Sequence, residues 1–189
     1  IVMRLVGSEM CIRDRRILAQ TLDIQGKQLR EVEKPEKALE TWQQAADLYR
    51  EIDRPEAAAQ NEFNQIQVLQ DLGLYPRACK SLLSILELNV QNCQALRELS
   101  EEDLKQQLQV FAQRPASLLE VQKLRNLGDV LRVLGQPTNS KVLLEASLEA
   151  AKQLEPFPNK NAEIAAIYLS LGNTARVQGK NDNPREALR

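Results

Sequence analysis

The sequence predicts an all-α fold, a solenoid of paired helices, and three observations predict it. Leu, Ala, Gln and Glu are abundant, whereas aromatics make up only 4% of the 189 residues; this is the composition of helix formers. Apolar residues recur at three-to-four spacing, as in Leu124, Leu127 and Leu131, which places them on one face of a helix. Glycines recur in pairs: Gly128 and Gly135 are seven apart, as are Gly172 and Gly179, and the pairs lie 44 residues apart. Aligned on them, LRNLGDVLRVLGQ (124–136) lies over YLSLGNTARVQGK (168–180). Gly26 fits the first glycine slot and Gly73 the second, so repeat starts fall 40, 62 and 44 residues apart, the periods of a helical solenoid.

Along the chain, residues 1–15 stand apart. Leu5 to Arg15 reads LVGSEMCIRDR, a string similar to one translated reading frame of a widely used transposon-based sequencing adapter. Both methionines, Met3 and Met10, fall in this stretch. Residues 1–15 are therefore expected to be non-native, leaving 16–189 as an array of about three and a half repeats cut at both ends. With the native N-terminus expected to be missing, the sequence assigns no compartment beyond the cytoplasmic default.

The expected helices are 16–32, 36–52, 55–72, 76–89, 101–113, 116–134, 139–154 and 161–178. In each repeat the early glycine lets the neighbouring helix approach, and the second ends the first helix, where a left-handed residue costs little. Proline soon follows, at Pro35, Pro76, Pro137 and Pro184, and is tolerated in a helix's first turn. The second helix then places a small residue near its start (Ala38, Ala78, Ser140, Ala187). Its apolar stripes are Ala38, Trp42, Ala45, Tyr49 and Val142, Leu143, Ala146, Leu154. Asp53 before Pro55-Glu56 reads as an N-cap, and Ser100-x-x-Asp103 as another, with Glu101 and Glu102 at the positive end of the helix dipole. The long 62-residue period implies an insertion near 90–113, whose Leu104, Leu108 and Phe111 predict an extra amphipathic helix. Pro156-Phe157-Pro158-Asn159 reads as an interhelical turn. Helix 161–178 is expected to pack on a helix starting near Pro184, of which little remains. The face bearing Ile164, Ile167 and Leu171 is then expected to lie open, to fray or to self-associate.

Composition also restricts function. The chain has no histidine, the commonest general base and metal ligand. Its net charge of −1 lacks the basic footprint of a nucleic-acid binder, and no apolar run is long enough to cross a bilayer. Three cysteines, none at C-x-x-C spacing, suggest neither a zinc site nor a disulfide framework. For Cys79 and Cys93 two readings are open, redox partners or nucleophile on one side and packing thiols on the other. The place of Cys79 beside Ala78 favours packing. Glu101-Glu102-Asp103 reads as a helix start, not a metal site. The expectation is a chain with no catalytic residue, metal or cofactor, and not itself an enzyme.

The repeat resembles the tetratricopeptide repeat. Leu124, Leu127-Gly128 and Tyr168, Leu171-Gly172 match its first helix; Ala38, Trp42 and Ala45 match its second. Trp42 and Tyr168 would then be core packing residues. Ile66 departs from the pattern by standing in a glycine slot, and the periods exceed the usual length of about 34. The phrases TWQQAADLYRE (41–51), LQDLGLYPRACKSL (69–82), LGDVLRVLGQ (127–136) and LSLGNTARVQG (169–179) are similar to the repeat region of bacterial, often cyanobacterial, CHAT-domain proteins. There the repeats precede a caspase-like domain, whose catalytic residues have no counterpart here.

The resemblance implies a right-handed superhelix with a concave groove lined by the first helix of each repeat. It places Lys27 and Arg30, Gln67 and Gln70, then Arg125, Asp129 and Arg132, then Asn173 and Arg176 in that groove. Five of these nine are cationic and one acidic, so the expected partner is a protein or peptide segment of acidic character. Asp23, Glu31 and Asp71 stand close enough in sequence to offset that bias. The expected function is a protein-interaction scaffold; the alternative is a regulatory or recruitment region of a larger caspase-like peptidase.

Overall fold

A computed structural model of the chain describes residues 2–112, 117–155 and 159–182. The described residues form α-helices and turns without a strand, as the sequence predicts. The chain divides into two compact units, Ile1–Leu74 and Tyr75–Arg189.

The N-terminal unit holds α1 (Val2–Glu31), α2 (Pro35–Glu51) and α3 (Pro55–Asp71). α1 runs through the Leu5–Arg15 stretch and so begins well before the expected residue 16. Residues 11–18 are all exposed, and Ala19 is buried. Ala38, Trp42 and Val68 form one core cluster, with Leu29 and Leu39 against it. Ala19, Ala45, Ala46, Tyr49 and Ala58 form another. Gly26 makes the α1–α2 packing possible. A Cβ built there would lie 2.5 Å from Nε1 of Trp42, whose ring fills the space a side chain would need. The indole N–H donates to the Asp23 carbonyl at 3.2 Å, which fixes the ring over the glycine.

Between helices the chain repeats one device. Glu33, Asp53, Gly73, Glu87 and Gly135 all have positive φ. Each donates its N–H to the carbonyl three residues back, and the next residue donates five back, as in Lys34 to Leu29 and Gln136 to Leu131. This double bond pattern is the Schellman motif. Lys34, Arg54 and Gln136 then serve as N-caps without a side-chain bond, and Pro35, Pro55 and Pro137 open the following helices. Asp53 therefore does not cap α3, as its place before Pro55 suggested; its left-handed backbone ends α2, and Arg54 is the N-cap.

The C-terminal unit holds α4 (Tyr75–Ile85), α5 (Ala95–Glu98), α6 (Glu101–Ala112), α7 (Leu118–Val133), α8 (Pro137–Gln153) and α9 (Lys160–Asp182). α6 falls where a helix over 101–113 is expected. Ser100 Oγ accepts from the Asp103 N–H at 3.1 Å, and Leu104, Leu108 and Phe111 are buried in a unit where α6 packs on α8. α7 starts in a capping box of Ser117 and Glu120. Leu124, Leu127 and Leu131 lie in the core. Gly128 repeats the role of Gly26, since a Cβ there would meet Leu144 at 2.7 Å and the Ser140 carbonyl at 3.2 Å. The spacing is also shared: Gly26, Ala38, Trp42 and Gly128, Ser140, Leu144 follow the same intervals.

Cys79 and Cys93 correct the packing-thiol expectation. Both are buried, but they are joined in a disulfide, Cα to Cα 6.2 Å, that ties α4 to the segment before α5. Two buried amides hold the same segment: Gln136 Nε2 donates to the Cys93 carbonyl at 2.7 Å and Asn139 Nδ2 to the Leu96 carbonyl at 2.6 Å.

α9 differs from expectation in three ways. Ile167 is buried against Val121, Leu148 and Ala151, with Ile164 and Leu171 packed beside it, so that face is covered rather than open. Tyr168 is 54% exposed and is not a core residue. Gly179 lies inside the helix, which continues to Asp182. Pro156-Phe157-Pro158, Pro184 and Ala187 lie outside the described residues.

Candidate protein-interaction surface

In the N-terminal unit, α1 supplies Lys27 and Arg30 and α3 supplies Gln67 and Gln70. Each pair is three residues apart, hence on one side of its helix. Lys27, Arg30 and Gln67 line a pocket of about 490 Å³ with Glu31, Trp42, Asn64 and Asp71. Arg30 is engaged along its whole fork. Its Nε and Nη2 reach Asp71 Oδ2 at 2.8 and 2.7 Å, and Nη1 donates to Gln67 Oε1 at 2.7 Å. Lys27 Nζ pairs with Asp23 Oδ2 at 3.1 Å. Gln70 does not line this pocket, and its amide nitrogen is buried without a partner.

Asn64 is the residue that sequence reasoning missed. It is only 8% exposed, its Oδ1 accepts from Gln60 Nε2 at 3.1 Å, and its Nδ2 has no partner. The signal was present, because Asn61 and Asn64 both interrupt the buried row that holds Ala58, Phe63 and Ile66. An unsatisfied buried donor costs roughly 1–3 kcal/mol, and Asn64 lines the same pocket as Lys27 and Arg30.

In the C-terminal unit, α7 supplies Arg125, Asp129 and Arg132, and α9 supplies Asn173 and Arg176. The first set is built into helix packing. Arg125 Nε reaches Glu163 Oε1 on α9 at 2.6 Å, and Ser170 Oγ on α9 donates to Asp129 Oδ2 at 2.9 Å. Asp129 also lies 3.8 Å from Arg125 and 3.5 Å from Arg132. Arg176 donates to Asn173 Oδ1 at 3.3 Å and meets no carboxylate among the described residues. Lys27, Arg30, Arg125 and Arg132 thus each have a carboxylate close by, and the cationic excess expected from the sequence is largely offset within each unit.

A second concavity, about 250 Å³, lies between α6 and α8. Leu108, Phe111, Val142 and Ala146 contribute its apolar wall, and Lys105, Glu145 and Glu149 its polar side. Among the described residues there is no cluster of three or more potential metal ligands. No described helix is long and apolar enough to cross a membrane. No protein-family model matches the chain, and no curated protein matches it significantly.

Proposed function

We propose that this chain is a protein-interaction scaffold, a right-handed superhelical solenoid of tetratricopeptide-like repeats that binds a peptide segment of acidic character. The recurrence of a glycine, a small residue and a large residue at fixed intervals in α1–α2 and α7–α8 supports the repeat reading. The observation that carries the binding reading is the unpartnered Asn64 amide at the α1–α3 pocket. A peptide carbonyl or carboxylate would satisfy that donor. An incoming carboxylate would also compete with half-exposed Asp71 for the Arg30 fork, where charge-assisted bonds are strongest. The reading assigns this chain no catalytic residue, cofactor or metal.

Fluorescence anisotropy with short labelled peptides tests it, using an Asp/Glu-rich set and a matched Asn/Gln-rich set. Acidic peptides should bind more tightly and lose affinity with added salt. Asn64→Ala and Lys27→Glu should each weaken them by about tenfold, equivalent to about 1.4 kcal/mol. Equal binding of the two sets, or full binding by both variants, overturns the assignment.

A further inference from the structure

α9 has two opposed faces, and among the described residues one of them packs within the unit while the other is exposed. Ile167, Ser170 and Thr174 are buried on the first. On the second, Tyr168 is 54% and Leu169 68% exposed, and a Cβ added at Gly172 would meet nothing within 4 Å. The corresponding sockets at Gly26 and Gly128 are filled by Trp42 and Leu144.

We propose that this second face pairs with the same face of a second copy of the chain, as an antiparallel helix pair whose two-fold axis passes by Gly172. The argument is self-complementarity. About such an axis, the residue n places before 172 in one copy faces the residue n places after it in the other. Leu169 then faces Ala175, and Ala165 faces Gly179, so each larger side chain meets a smaller one. Tyr168 faces Arg176, whose guanidinium donates to Asn173 and can lie over the phenol ring. Small residues at 165, 172 and 179 repeat every seven, the interval that keeps one seam facing a partner helix. With glycine on the axis, the backbones can close below the usual 8–10 Å separation. A single helix pair buries little area compared with obligate interfaces, so the dimer is weak and its population rises with concentration.

Sedimentation velocity on the full chain tests the pairing, in a Cys11→Ser background because Cys11 is an exposed free thiol. A concentration-dependent dimer is expected, and Leu169→Glu should weaken it by about tenfold or more. Register is tested by thiol pairing under mild oxidation. Gly172→Cys should link to itself, since Cα atoms at the axis fall within disulfide reach. Ala165→Cys should link only when mixed with Gly179→Cys. All three sites are exposed, and circular dichroism identifies any variant that does not fold. A monomer at every concentration overturns the proposal, whether residues 183–189 or an unlike helix covers the face. So does a dimer that Leu169→Glu leaves intact or that Gly172→Cys does not cross-link.

Discussion

Trp42 stands on Gly26 so closely that no side chain fits between them, and the ring is 1% exposed. The indole cannot retreat easily, because its N–H is bonded to the Asp23 carbonyl. Gly26→Ala should therefore destabilise the N-terminal unit by about 1–3 kcal/mol, the usual range for overpacking a core. Gly172→Ala is a helix-interior change with open space around it, and in dilute monomer it should stabilise by about 0.5–1 kcal/mol. Urea denaturation of both variants measures the difference; the same sign for the two would refute the socket at Gly26.

The Cys79–Cys93 bridge closes a short loop, its cysteines standing 14 residues apart in sequence. Loops of about 15 residues gain roughly 3 kcal/mol from closure. Reductant should lower the urea midpoint of the native chain and leave a Cys79→Ala/Cys93→Ala variant unchanged. Equal response in both would assign the effect elsewhere.

These two cases mark how far the sequence could be read. Gly26 and Gly128 were legible because their partners lie at fixed helical intervals. The bridge was not, since α4 stops at Ile85 and the chain then follows turns without a period until α5. Tyr168 failed for a different reason. The repeat pattern predicts which face a helix offers to its successor, but Tyr168 is exposed in the described chain. At the candidate site, Lys27, Arg30 and Gln67 line one pocket, whereas the pairing of the two cations with Asp23 and Asp71 depends on side-chain reach. Asp53 misled because an Asp before Pro suits an N-cap, while the preceding helix needed a left-handed residue at the same place.

Arg125 links α7 to α9 through Glu163, whose side chain is 10% exposed. Arg125→Glu would place like charges beside Glu163 and Asp129 and should cost about 1–3 kcal/mol. Lys105→Ala removes a far more exposed pair with Glu101 and should cost about 0–1 kcal/mol. Thermal melts separate the two. Loss of partner binding in Arg125→Glu is interpretable only with this stability cost measured, whereas Arg176→Glu carries no such link to a carboxylate.

Tyr49 should make the N-terminal unit sensitive to alkali. Burial raises its phenol above the ordinary value of 10.0, Asp23 raises it further, and Arg16 opposes both. A raised folded pKa means that the unfolded chain releases the proton first. Stability is therefore intact below about pH 10 and falls as pH rises towards the folded value. The difference in urea stability between the native chain and Tyr49→Phe should be flat to about pH 9 and change above it. A flat difference throughout would exclude Tyr49 as the source.

The left-handed turn residues give a prediction in both directions. Glu33 and Asp53 occupy positive φ at 56° and 55°, in the same Schellman geometry as Gly73 and Gly135 at 72° and 75°. A side chain in this region costs roughly 1–2 kcal/mol. Glycine removes that strain but gives the unfolded chain about 0.5–1 kcal/mol of extra conformational freedom. Both Glu33 and Asp53 are exposed, so the exchange for glycine removes no buried side chain. Glu33→Gly should then stabilise by about 0.5–1 kcal/mol, and Asp53→Gly by less, because Asp tolerates this backbone better. Gly135→Ala should destabilise by about 1 kcal/mol through strain alone, since the nearest atom to its Cβ position is 3.8 Å away. If Glu33→Gly lowers the urea midpoint, the turn at Glu33 does not have the backbone described.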